Sequence, residues 1–285
     1  MDRRTFLKRI GIGMAGMTCG GILAPGRLNA QGVAEETEFL SILIDTTRCI
    51  GCRSCELACA ETYDLPIPDI EDDSVFKEER RTTETQWTVV NRYETDKGTV
   101  YAVKRCMHCN QPACVAACLV KAMKKEEEGP VTWAENCMGC KMCAFSCPFE
   151  KAVLETHSPT PRIRKCLLCW DKRLVKGEIP ACVEACPTEA LVFGTRRELL
   201  EEARTRIYQH PDRYVHHIYG ETEVGGTSVM YLSAVPFEQL GFRTDLGTTS
   251  LPELSTGFLY AVPIIFVLWP AFLLGVHRAT QKEED

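Results

Sequence analysis

Aromatic residues are scarce in this chain of 285 residues, at 8% of the total, and its Lys and Arg are interspersed with acids, with no basic stripe. Nucleic-acid binding needs a basic face with rings on which bases stack, so that class of partner is excluded. A formal net charge of −6 and a hydrophobic content of 45% are ordinary for a globular protein, which leaves room for one or two domains with a core. Charge is missing altogether from Gly257 to Val276. Twenty such residues at a rise of about 1.5 Å cover the ~30 Å hydrocarbon layer, so 257–276 is predicted to be a transmembrane helix. Tyr260 and Trp269 add amphipathic rings, and Pro263 and Pro270 would bend the helix without preventing a span. A helix buried in a soluble core is the competing reading.

The other end also reads as an address. Met1-Asp2-Arg3-Arg4-Thr5-Phe6-Leu7-Lys8 precede a Gly-rich apolar run, Ile10 to Ala24, and then Leu28-Asn29-Ala30. A charged start, a short apolar stretch and a small residue before Gln31 form the layout of a cleavable export signal, and the paired arginines make 1–30 similar to the twin-arginine type. The run is short and broken by glycines, which excludes a membrane helix; Cys19 inside it is expected to leave with the signal. Beyond the C-terminal helix, His277, Arg278 and Lys282 put the tail 277–285 in the cytoplasm by the positive-inside bias. The export signal puts everything before the helix outside. Both ends thus predict one localisation: inner membrane, a single C-terminal span, and the remainder in the periplasm.

What is abundant is cysteine. Of the 17, sixteen lie between Cys49 and Cys186 and divide into four groups of four. The groups are Cys49, Cys52, Cys55 and Cys59; Cys106, Cys109, Cys114 and Cys118; Cys137, Cys140, Cys143 and Cys147; and Cys166, Cys169, Cys182 and Cys186. Pro148 and Pro187 follow the last two groups, as in bacterial ferredoxins, whereas Ala60 and Leu119 follow the first two. Groups one and three share a Gly before their second cysteine, and groups two and four share Pro-Ala-Cys-Val-x-Ala-Cys at Pro112 to Cys118 and Pro180 to Cys186. The chain therefore carries an internal duplication. Three thiolates two residues apart wrap a tight loop around one face of a cubane, with Gly51 and Gly139 where the backbone must approach closely and a positive φ is favoured. The fourth cysteine faces away and ligates the other cluster of a two-cluster unit.

Zinc favours two separated Cys-x-x-Cys knuckles, and the third and fourth cysteines of each group fit its tetrahedral geometry poorly. Disulfides suit an exported protein, but pairing such tight loops is strained. An iron–sulfur protein folded in the cytoplasm before twin-arginine transport meets neither objection. No group lacks a cysteine, so four 4Fe–4S clusters consume all sixteen ligands and leave no open iron for substrate. That points to conduction and not catalysis. The chain is not an enzyme on its own in this reading; a structural zinc- or disulfide-stabilised exported protein without redox role is the alternative.

At this point the chain resembles the four-cluster iron–sulfur electron-transfer subunits that serve dimethyl-sulfoxide reductase, formate dehydrogenase and certain nickel–iron hydrogenases. Val192-Phe193-Gly194-Thr195-Arg196-Arg197-Glu198-Leu199, Tyr219-Gly220-Glu221 and Val224-Gly225-Gly226-Thr227-Ser228-Val229 extend the match from about Glu38 to Pro236. With the twin-arginine signal and the single C-terminal helix, the layout looks most like the hydrogenase-2 type. The resemblance implies a crosswise pairing of the groups. Cys49, Cys52 and Cys55 would take Cys186; Cys166, Cys169 and Cys182 would take Cys59; Cys106, Cys109 and Cys114 would take Cys147; Cys137, Cys140 and Cys143 would take Cys118. It also implies an α+β fold of two interleaved bacterial ferredoxin-like modules plus one transmembrane helix, with the clusters strung into a line. Some relatives place Trp at a ligand and hold a three-iron cluster; Trp170 follows Cys169 here and displaces nothing. The implied partners are a catalytic subunit, either a nickel–iron hydrogenase or a molybdopterin enzyme, and a multi-helix quinone-binding membrane subunit.

The remaining stretches give a coarse map. Leu40 to Ile44 reads as a strand, and Trp87 to Tyr93 and Thr99 to Val103 as strands joined through Thr95-Asp96-Lys97-Gly98. Asp69 to Arg81 is a charged loop, either a solvated insertion or a docking surface. Arg196 to Ile207 is patterned as a surface helix, and Gly241 to Thr256 as an irregular tether. The predicted division is 1–30 signal, 38–195 cluster domain, 196–256 helical and irregular extension, 257–276 membrane helix and 277–285 tail. His108, between two ligands, is expected to pack or to donate a hydrogen bond to a cluster, not to ligate. Lys104, Arg105, Arg162, Arg164 and Lys165 precede ligands and would either stabilise a reduced cluster or solvate the surface.

Overall fold

The computed structural model describes residues 38–281. The expected export signal with Cys19, and the last four residues of the tail, lie outside the described residues. Thr37–Leu254 is one compact unit.

Its spine is a three-stranded sheet in the order β8-β1-β9. β1 (Leu40–Asp45) carries the apolar stretch Ile42-Leu43-Ile44 and has almost every residue buried, as expected of a central strand. β8 (Leu191–Thr195) runs antiparallel to it, with Ile42 opposite Phe193, and β9 (Val229–Leu232) runs parallel on its other side, with Leu43 opposite Met230. Successive side chains alternate across a strand. Leu43, Met230 and Leu232 thus face a helix, α5 (Arg196–Gln209), and meet Leu199, Leu200 and Ala203. Ile42, Ile44, Val229 and Tyr231 point the other way, into a core that includes Cys55 and Cys182.

α5 starts where the sequence signals it. The Thr195 hydroxyl accepts from the Glu198 amide while the Glu198 carboxylate accepts from the Thr195 amide, a reciprocal cap worth ~1 kcal/mol. β2 (Val89–Thr95) and β3 (Gly98–Lys104) form the expected hairpin around Asp96 and Lys97. Two smaller hairpins, β4 (Met123–Lys125) with β5 (Val131–Trp133) and β6 (Val153–Leu154) with β7 (Ile163–Arg164), flank the third cysteine group. The charged stretch 69–81 is not wholly solvated: it holds a 3-10 turn, Asp73–Lys77, whose Phe76 is buried edge-on against Tyr101. The stretch expected to be helical and irregular after residue 195 contributes β9 to the central sheet, because Val229–Leu232 completes the second flank of β1.

The last helix, described by itself, is Leu251–Thr280 (α6). It begins inside the expected tether and contains Pro263 and Pro270. Among the described residues it is the one helix long and apolar enough to cross a membrane, and none of its residues is buried.

Candidate functional site

All sixteen predicted ligands lie among the described residues, and every one is an unpaired thiol. In each group the third cysteine opens a helical segment. Cys55 stands in α1 (Ser54–Thr62), Cys114 in α2 (Ala113–Ala116), Cys143 in α3 (Met142–Phe145) and Cys182 in α4 (Ala181–Glu184). The fourth cysteine follows four residues later, one helical turn and ~6 Å further along the axis. That step sets the two thiols of one segment apart along the axis. α1 packs against α4, and α2 against α3. Group one is thereby brought to group four, and group two to group three.

Each group's first loop repeats one backbone feature. The residue before the second cysteine has positive φ in all four: Gly51 at 75°, His108 at 47°, Gly139 at 71° and Leu168 at 58°. The glycines were legible in the sequence; His108 and Leu168 occupy the same position, and only alignment of the four groups on their second cysteine would have flagged them. A Cβ on Gly51 would lie 2.5 Å from the Tyr101 ring, and one on Gly139 2.7 Å from the Pro161 carbonyl oxygen. Backbone donors from one of these loops and from the segments after the fourth cysteines point at sulfur. The amides of Leu168, Met123 and Lys151 donate to the sulfurs of Cys166, Cys118 and Cys147 at 3.3, 3.4 and 3.4 Å.

The buried thiols perturb one another, and their neighbours fall into groups. Burial pushes Cys49 up to about 11, with Cys186 and Cys52 adding to it. Cys55 is raised by burial and then by Cys182, Cys49 and Cys52. Cys59 is raised by burial, then by Cys166 and Cys182, with Cys169 behind them. Burial takes Cys169 to about 12, and Cys182 and Cys166 are its neighbours. Cys109 is raised by burial and then by Cys106, Cys147 and Cys114. Burial takes Cys143 to about 11, with Cys137, Cys118 and Cys140 around it. Contacts between these gatherings run in sequence: Cys55 feels Cys182, Cys106 feels Cys166, and Cys114 feels Cys143.

This donor set fits an iron–sulfur group. Soft thiolates select iron–sulfur clusters, zinc or Cu(I). Zinc draws its sulfurs to ~2.3 Å from a single point. Among the described residues no three Cys, His, Asp or Glu side chains converge in that way, whereas a cubane needs sulfurs set wider. Buried thiols this weakly acidic keep their protons unless cations replace them, which iron does. A second sign is an orphaned donor. The His108 ring is fully buried; its Nδ1 accepts from the Val131 amide at 2.9 Å, so the proton sits on Nε2, which has no protein partner. Burial keeps this imidazole neutral, holding its pKa well below the ordinary value.

The flanking cations divide. Lys104, Arg105 and Lys165 are buried and do not solvate the surface. Lys104 donates to the Leu240 carbonyl and stands over the Phe242 ring, and Lys165 donates to the carbonyls of Cys166 and Val131. Arg162 and Arg164 are half-exposed and pair with Glu135 and Glu155. Lys125, which nothing in its local sequence singles out, donates to the carbonyl of Cys109 at 2.9 Å and sits beside the same thiols. Cys140 is the exposed member of the sixteen, and Met138 and Met142 beside it in the sequence are exposed too. α1 is pinned from behind. Buried Glu56 accepts from Arg53, Arg80 and the Val90 amide, tying the helix that carries Cys55 and Cys59 to β2.

Comparison with known proteins agrees with this chemistry. Residues 98–196 match the family model described as a 4Fe-4S dicluster domain. A protein of Nitratidesulfovibrio vulgaris is 43% identical across 100% of this chain and 78% of its own length. The hydrogenase-2 operon protein HybA of Escherichia coli O157:H7 is 33% identical over 90% of this chain and 86% of the relative. The iron-sulfur subunit of the nitrate-inducible formate dehydrogenase of Escherichia coli K12 is 36% identical over 67% of this chain and 66% of the relative. Sixteen clustered free thiols and these relatives lead to one conclusion: the chain carries multiple 4Fe–4S clusters and belongs to the iron–sulfur electron-transfer subunits of the hydrogenase-2 and formate dehydrogenase type.

Proposed function

We propose that this subunit relays electrons through four 4Fe–4S clusters between a periplasmic catalytic subunit, a nickel–iron hydrogenase or a molybdopterin enzyme, and a quinone-reactive membrane subunit. The observation that carries the reading is the run of thiol neighbours from Cys49 to Cys143, which gathers Cys49, Cys52, Cys55 and Cys186, then three further sets of four. The ligand sets in order along the line are Cys49, Cys52, Cys55 with Cys186; Cys166, Cys169, Cys182 with Cys59; Cys106, Cys109, Cys114 with Cys147; and Cys137, Cys140, Cys143 with Cys118. This is the crosswise arrangement of two interleaved ferredoxin-like modules. When bound, the clusters would supply one-electron exchange with no atom transferred. The chain's own residues do the rest. Buried thiolates hold iron, the amides of Leu168, Met123 and Lys151 point at sulfur, and the apolar cores around Cys55, Cys59 and Cys143 exclude water. No step calls for a substrate site, so the subunit is non-catalytic on its own.

The division into signal (1–30), cluster domain (38–195), extension (196–256), membrane helix (257–276) and cytoplasmic tail (277–285) belongs to the same proposal. It places the clusters in the periplasm and the single span in the inner membrane. Anaerobically purified protein is expected to be brown and to hold roughly sixteen irons with cubane signals in electron paramagnetic resonance. Colourless, zinc-loaded protein would end the relay reading. Changing Arg3 and Arg4 together to Lys is expected to trap the protein in the cytoplasm, and removing 257–285 to release a soluble form; cell fractionation reads both.

A further inference from the structure

We propose that Arg105 sets the reduction potential of one inner centre, the one at Cys59, Cys166, Cys169 and Cys182, by hydrogen-bonding two of its ligand sulfurs. The inference rests on the ligand sets proposed above. Arg105 Nη1 donates to Cys182 Sγ at 2.9 Å and Nη2 to Cys166 Sγ at 2.8 Å. The residue is 1% exposed, its Nε has no partner, and among the described ion pairs no carboxylate answers its charge. A guanidinium is always charged, and its rigid fork suits two acceptors side by side. Burying such a cation unpaired is prohibitively costly, so its counter-charge has to be the thiolate pair itself.

The contrast with the other buried cations makes the effect local. Lys104, Lys125 and Lys165 all end on backbone carbonyls, and none of their recorded hydrogen bonds goes to sulfur. One electron entering the centre from a reductant adds one negative charge, moves no proton and leaves the guanidinium as it was. The two N–H···S bonds therefore strengthen on reduction, and the reduced form is favoured. Arg105 acts as a potential-setting residue for one centre of the line and is indifferent to the rest.

The test is an anaerobic potentiometric titration, with dithionite as reductant, of the full chain in its complex, followed by electron paramagnetic resonance. In Arg105→Gln, iron content should be unchanged. One midpoint should fall while the others stay, and the moving signal should be the one lost in Cys169→Ser. The control Arg162→Gln, which removes a half-exposed charge four residues before Cys166 without touching sulfur, should move none. If Arg105→Gln keeps its iron and every midpoint stays put, the proposal is overturned. If that variant loses iron, Arg105→Lys decides: it keeps the charge but cannot bridge two sulfurs, so the same midpoint should fall by less, and no fall refutes the role. Absence of cubane signals in the wild-type protein would instead sink the cluster reading on which this one rests.

Discussion

The loops at the two ends of the thiol line and the loops in its middle share one backbone and fill it differently. Gly51 and Gly139 occupy the left-handed position in the end loops, where a Cβ would strike Tyr101 or Pro161. His108 and Leu168 occupy it in the inner loops, at a conformational cost of ~1–2 kcal/mol each for an L-residue. The environments differ accordingly. Leu168 is fully buried in the core beside Cys55 and Cys182, His108 offers an otherwise unanswered Nε2–H, and buried Arg105 and Lys165 stand alongside. At the Cys140 end, thiol and apolar side chains face outward. The end loops are shaped for close approach of neighbouring groups; the inner loops accept strain in return for packing and electrostatic contacts.

The largest expected effect comes from the ligands themselves. Cys169→Ser in the buried inner set should lose a centre, lower the thermal midpoint of the compact unit and stop electron passage, because the line is broken in its middle. Cys140→Ser at the exposed end should lose iron with a smaller loss of stability. Iron analysis with differential scanning calorimetry checks both, and equal destabilisation would erase the contrast. Next come the left-handed positions. Leu168→Ala removes a fully buried side chain and should cost ~2–5 kcal/mol. Gly139→Ala should cost ~1–2 kcal/mol from the left-handed backbone, with the Pro161 contact added. Chemical denaturation of the cluster-loaded protein ranks them, and a neutral Leu168→Ala would show that the inner loop is not packed as described.

The smallest effect is on pH. Burial raises Cys49 and Cys143 to about 11, and Cys114 and Cys169 to about 12. Folded thiols more weakly acidic than unfolded ones stabilise the metal-free chain below the ordinary thiol range near 9.0, and that stability is lost as pH rises through 11 to 12. Iron loading runs the other way: it displaces those protons, so it should release acid and weaken as pH falls. A pH-stat during anaerobic reconstitution measures this directly, and loading without acid release would contradict the burial of these thiols.

Much of the site was legible because cluster chemistry dictates local spacing. A first pair of cysteines three positions apart and a last pair four apart define a loop and one helical turn whatever surrounds them, which is why the four groups, Gly51 and Gly139 could be read in advance. The hairpin about Asp96-Lys97 was equally local. β9 escaped notice because Val229–Leu232 is too short to declare itself without β1 beside it. Lys125 escaped because its partners, the carbonyls of Cys109 and Gly129, meet only when β4 folds back on the second loop.

By itself the sequence determined the cofactor class, the number of thiols and the apolar stretch able to span a membrane, since each depends on residue type and near-neighbour spacing. Only the tertiary structure decided which thiols share a neighbourhood, which are sealed from water, and which of five candidate cations touches sulfur. Those depend on α1 meeting α4 and α2 meeting α3. Burial and electrostatic partnership are properties of assembled surfaces, and Arg105 reaches Cys166 and Cys182 across 61 and 77 residues of chain.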